Sequence, residues 1–188
     1  GAPGSAWRPP LATLYIGGGT PSLLPADAIA RLVTQVRDRY GLAADAEVTL
    51  EANPGPDDRG DLPGIAAAGV TRLSLGAQSL DDGELHTLGR RHRASDVADA
   101  IAAARAAGIP RVSLDLLYDV PRQRLATWAA TVEAALDLGP DHVSCYALTL
   151  DDPEAEGLTG PSGDHLPTPT GARRWRDRAR GGQDEDRA

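Results

Sequence analysis

Polar groups suited to holding a ligand recur in this sequence wherever a short apolar run stops. Ala12 to Ile16 leads into Gly17-Gly18-Gly19-Thr20, Glu47 to Leu50 into Glu51, and Arg72 to Leu75 into Gly76-Ala77-Gln78. Asp115 lies within the fourth run, Val112 to Leu117, and the fifth, Val143 to Leu148, passes through Tyr146 and Ala147 towards Thr149. Three successive glycines permit positive φ and let backbone N–H groups approach a ligand with no Cβ in the way, although a tight turn alone also explains them. Their spacing is not the dinucleotide fingerprint, and no Lys follows as in a P-loop. Glu51 can accept from a ligand ammonium or from ribose hydroxyls, or pair with an Arg. Gln78 can both donate and accept, towards a ligand edge or within its own loop. A carboxylate inside an apolar strand is costly unless partnered, so Asp115 calls for an Arg or a ligand. In Arg90-Arg91-His92-Arg93, Arg90 is the candidate for a ligand carboxylate, and Arg91 and Arg93 read as a solvated helix end.

Other chemistries find little support. His86, His92, His142 and His165 lack metal-ligand spacing, so no metal is assigned to them. Cys145, the single cysteine, falls in a strand predicted to be buried and reads as a small core residue; one thiol excludes an internal disulfide and a cluster held by several thiolates. No Ser-His-Asp arrangement stands out.

The elements that must position these groups alternate. Helices are predicted over Pro25 to Tyr40, Leu62 to Ala68, Asp82 to Leu88, a segment N-capped by Ser95 and ended before Gly108, and Leu125 to Leu138. On the last, Leu125, Trp128, Ala129, Val132 and Leu136 form one apolar stripe. The strands between them look apolar on both faces, as buried parallel strands are. Right-handed crossovers then give a barrel or a doubly wound sheet, with ligands at the carboxyl ends of the strands. Residues 1–10 are Gly- and Pro-rich and read as a disordered lead-in; the barrel-like domain occupies 11–150, and 151–188 is a linker or the start of a further region.

The 188 residues suffice for one domain. A net charge of −8 argues against a nucleic-acid partner and a membrane surface, and no apolar run approaches the roughly 20 residues of a membrane span. No signal peptide is visible, so a cytoplasmic location is expected. The sequence contains no Met and opens at Gly1, which fits initiator removal or a missing beginning equally well.

Five ordered strings carry a family resemblance: YIGGGTPSLL at Tyr15–Leu24, TLEANPG at Thr49–Gly55, RLSLGAQSLDD at Arg72–Asp82, LGRRH at Leu88–His92 and SLDLLYD at Ser113–Asp119. Over Leu11 to Leu150 the chain resembles the radical S-adenosylmethionine proteins related to oxygen-independent coproporphyrinogen III oxidase. It is most similar to their HemW-like haem chaperone branch. The resemblance implies an α/β fold, the partial six-stranded (βα) TIM-like barrel, here lacking its first strand. It implies that Gly18, Gly19, Thr20, Glu51, Gln78, Arg90, Asp115 and Ala147 contact S-adenosylmethionine, with the part each holds left open. The implied cofactors are S-adenosylmethionine and a 4Fe–4S cluster, with haem as cargo and haem-dependent proteins as recipients. The alternatives are radical decarboxylation of coproporphyrinogen III and a nonfunctional fragment.

The chain also departs from that pattern. The family's CxxxCxxC motif lies upstream of GGGTP and is not in this sequence, so the cluster ligands fall outside the chain. The family's C-terminal HNxxYW-type string is likewise not found, and Asp119 and Arg122 stand where its YGLPGQ string carries glycine. Five predicted strands against six imply a piece of a longer protein, and the chain as given is expected to be inactive.

Overall fold

The computed structural model describes residues 9–148; residues 1–8 of the lead-in, Thr149, Leu150 and the region from 151 onward lie outside them. Five strands form one parallel sheet in the order β1 (Leu11–Ile16), β2 (Leu42–Ala52), β3 (Arg72–Gln78), β4 (Arg111–Tyr118) and β5 (His142–Ala147). The sheet curls into half of a barrel. Between the strands run α1 (Ala26–Tyr40), α2 (Leu62–Ala67), α3 (Asp82–Thr87), α4 (Ala94–Ala106) and α5 (Leu125–Asp137). Sequential order with every neighbour parallel is what repeated right-handed crossovers produce.

The core lies between the outer face of the sheet and the helices. Alternate strand residues build it: Val48, Leu50 and Ala52 on β2, Leu73, Leu75 and Ala77 on β3, and Val112, Leu114 and Leu116 on β4. Ile29 and Val33 of α1, and Val97, Ala100, Ile101 and Ala104 of α4, close over them at helical spacing. Apart from Gly76, the residues between these positions are polar: Glu47, Thr49 and Glu51 on β2, Arg72, Ser74 and Gln78 on β3, Arg111, Ser113 and Asp115 on β4. The expectation of strands apolar on both faces is therefore wrong. Only the helix-facing side is apolar, and the concave side carries hydrogen-bonding groups.

Three local expectations are corrected. Helix α4 starts at Ala94 after an Arg93 cap, not at Ser95: the Arg93 N–H donates to Asp96 Oδ2 at 2.8 Å and the Ala94 N–H to Asp82 Oδ1 at 2.9 Å, so these carboxylates satisfy the first free amides of the helix and Ser95 already lies within its first turn. On α5 the buried stripe is rotated to Thr131 and Ala135, leaving Leu125 and Leu136 exposed. Thr131 is held inward beside Ser79, their hydroxyls 3.4 Å apart. Cys145 is exposed, not a core residue, because β5 is an edge strand of the sheet.

Candidate functional site

A cleft of about 320 Å³ opens on the concave face at the carboxyl ends of the strands, lined by groups from all five of them. Parallel strands that end in step deliver their last inward residues to one rim. From β1 and the loop after it come Tyr15, Gly19 and Thr20; from β2 and its loop, Glu51 and Asn53; from β3, Ser74, Gly76 and Gln78; from β4, Asp115; from β5, Tyr146. Arg90, just beyond α3, adds a guanidinium.

Glu51 is fixed from the β1 side. Its Oε1 accepts from the Tyr15 hydroxyl at 2.8 Å and its Oε2 from the Gly18 N–H at 2.9 Å. Burial, and then the bond to Glu51, raises the Tyr15 phenol above its ordinary value. Asp115 accepts at Oδ2 from the Ser74 hydroxyl at 2.9 Å, and Ser74 in turn accepts from buried Ser113 at 3.1 Å. No Arg pairs with either carboxylate among the described residues.

Gln78 owes its place to backbone shape. It adopts φ 66°, and the Ser79 N–H donates to the Ala77 carbonyl at 2.8 Å across it, a tight three-residue turn rarely taken by a residue with a Cβ. Its amide folds over Gly76, where a Cβ would sit 2.8 Å from Nε2. His92 anchors the same turn, its Nε2 3.1 Å from the Ala77 carbonyl; burial lowers its pKa, so it is neutral and donates from Nε2. Arg90 lies two residues before this anchor. Part of its surface is open, yet the cleft wall desolvates the guanidinium enough to lower its pKa. It forms no ion pair among the described residues, whereas Arg91 reaches Asp58 at 2.9 Å.

The geometry thus brings Gly19, Thr20, Glu51, Gln78, Arg90 and Asp115 to one cleft. Gly18 stands at its edge with its N–H turned to Glu51. Ala147 ends β5 exposed, and the side chain that β5 lends to the cleft is Tyr146. Tyr15, Asn53, Ser74 and Gly76 were not singled out from the sequence. Ser74, Gly76 and Gln78 share a period of two, a signal that points three residues of one strand at the same side. Asp119 and Arg122 hold φ of 62° and 68°, so the loop after β4 keeps the left-handed turns that glycine favours. The arrangement suits a small zwitterionic ligand: one guanidinium, two carboxylates and several neutral polar groups line the same cleft.

A model of the radical SAM superfamily matches residues 4–151. Among curated proteins, heme chaperone HemW of Synechocystis sp. is 41% identical over 142 residues, 76% of this chain and 34% of that protein. HemW of Mycobacterium tuberculosis is 45% identical over 143 residues, 76% of this chain and 37% of that one. Among solved structures, the coproporphyrinogen III oxidase HemN of Escherichia coli, a radical SAM enzyme, aligns with a TM-score of 0.66 at 27% identity, covering 83% of this chain and 36% of its own. The chain spans about a third of the length of the curated relatives it matches.

Proposed function

The chain belongs to the radical SAM superfamily, and from that membership we propose that its cleft binds S-adenosylmethionine within a HemW-like haem chaperone. One observation carries the reading: Arg90, without an ion-pair partner among the described residues, lines the same cleft as Glu51 and Asp115, whose hydrogen bonds are to neutral donors only. A ligand bearing a carboxylate, an ammonium and ribose hydroxyls complements that set. Arg90 would hold the carboxylate, Glu51 the ammonium and Asp115 the ribose, with Gly19, Thr20 and Gln78 lining the remainder. The volume lies in the range of small-molecule sites. Bound S-adenosylmethionine supplies an activated sulfonium; the residues of this chain bind and orient it.

A 4Fe–4S cluster does not fit the residues present. Such a cluster needs several thiolates, the sequence has one cysteine, and no group of three metal-ligating side chains occurs among the described residues.

The experiment for the cleft is calorimetric titration of this chain with S-adenosylmethionine. Saturable millimolar or tighter binding, weakened in Arg90→Ala and Asp115→Asn, is the expected result; no binding by the unaltered chain overturns it. At the level of the whole protein, we propose haem as cargo and haem-dependent proteins as recipients. The likeness to the E. coli oxidase HemN favours a second reading, oxidative decarboxylation of coproporphyrinogen III. A protein of the relatives' full length separates the two: stable haem binding without porphyrinogen turnover supports the chaperone, and protoporphyrinogen formation supports the oxidase.

A further inference from the structure

The glycine run after β1 has a second occupant besides any ligand. The Gly18 N–H is spent on Glu51 Oε2, and the Tyr15 hydroxyl on Oε1. Gly17 lies directly against the same group: a Cβ there would be 2.8 Å from Glu51 Cδ and Oε1 and 2.9 Å from Oε2. Tyr15, Gly17 and Gly18 thus enclose the carboxylate on the β1 side, with three contacts from one short chain segment. An ionised carboxylate offers about four acceptor sites, so two neutral donors leave about two directed elsewhere. Glu51 lines the cleft, and neither donor cancels its charge.

Resting on the reading that the cleft takes the ligand's ammonium, we infer that Tyr15 is a positioning residue that acts through Glu51. The phenol and the Gly18 amide hold the carboxylate in one rotamer with its free lone pairs towards the cleft, and Gly17 is glycine so that the carboxylate can sit there. The phenol pKa is raised first by burial and then by the hydrogen bond to Glu51, which agrees with a hydroxyl kept protonated beside a carboxylate. Fixing the acceptor before binding removes an ordering cost from binding itself.

The test uses Tyr15→Phe, Gly17→Ala, Glu51→Gln and the Tyr15→Phe/Glu51→Gln double variant of the full chain, with thermal midpoints as a folding control. Two readouts are taken: the dissociation constant for S-adenosylmethionine, and the titration of the Tyr15 ring by carbon-13 NMR, assigned by its loss in Tyr15→Phe. Tyr15→Phe is expected to weaken binding about three- to tenfold, the worth of one hydrogen bond, and Gly17→Ala to do likewise by displacing the carboxylate. On the Glu51→Gln background Tyr15→Phe adds nothing, and Glu51→Gln returns the phenol towards its ordinary value. If the two substitutions weaken binding independently, Tyr15 touches the ligand itself and the inference is overturned. If the unaltered chain does not bind, the ligand reading falls and the phenol titration decides alone: a shift unchanged in Glu51→Gln overturns the positioning role, and a shift reduced there, down to the part that burial causes, upholds it.

Discussion

Glu47 and Glu51 stand four residues apart on the same face of β2, yet their surroundings are opposite. Glu47 bridges two arginines at the amino ends of the next strands, Arg72 at 3.0 Å and Arg111 at 2.7 Å. Arg72, by hydrogen bond and charge, holds the Glu47 carboxyl below its ordinary value, and Arg111 adds to this. Glu51 meets a hydroxyl and an amide, while Arg90, in the same cleft, has no ion-pair partner among the described residues. At the amino end the charges are paired within the protein and contribute to stability. At the carboxyl end they are oriented but left uncompensated, which disposes them to a ligand.

The largest effect should come from removing the open charge. Arg90→Ala is expected to weaken S-adenosylmethionine binding about ten- to a hundredfold, as loss of a charged hydrogen bond does, while leaving the urea midpoint almost unchanged. Titration calorimetry beside urea denaturation checks both halves. The converse holds at the other end. Glu47→Ala should cost about 1–2 kcal/mol in urea unfolding, since two partly exposed pairs are lost and Arg72 is left partly buried without them. Its ligand affinity should stay within twofold or so. Because the Glu47 pKa is depressed in the folded state, its contribution is present above the ordinary carboxylate range and disappears as pH falls through the folded value. A variant that lost binding through Glu47 and stability through Arg90 would reverse the assignment.

Smaller effects sharpen the boundary between the two ends. His92 is buried with a pKa below its ordinary 6.5, so on acidification the unfolded chain takes up a proton where the folded one does not. Stability therefore falls as pH drops below about 6.5, by at most about 1.4 kcal/mol per pH unit. His92→Gln should flatten that slope in pH-dependent thermal melts. Smallest of all, Arg122→Gly relieves a positive φ in the loop after β4 and should stabilise the fold by up to about 1 kcal/mol, seen as a raised thermal midpoint.

Much of this organisation is written locally. Short apolar runs ending in turn or polar residues mark all five strands, although the second is expected only over Glu47 to Leu50 and extends from Leu42 to Ala52, and the ordered strings GGGTPSLL, LEANPG, SLGAQS and LGRRH contain the cleft residues Gly19, Thr20, Glu51, Gln78 and Arg90. The limits of that reading are equally specific. Ser74 looked like one more residue of an apolar strand, and Tyr15 like part of a motif with no task of its own. Each acquires its role from a carboxylate 41 or 36 residues away.

Periodicity and turn chemistry depend on neighbours along the chain, so the alternating parallel architecture and the end of each strand at which chemistry gathers could be read from residue order. Which groups meet across the sheet could not. Asp115 finding Ser74 rather than an arginine, Cys145 lying exposed on an edge strand, and the concave face being polar all follow from strand register and from the curl of the sheet. Both are set by how helices separated by whole crossovers pack against the outer face, and no short window of sequence contains that packing.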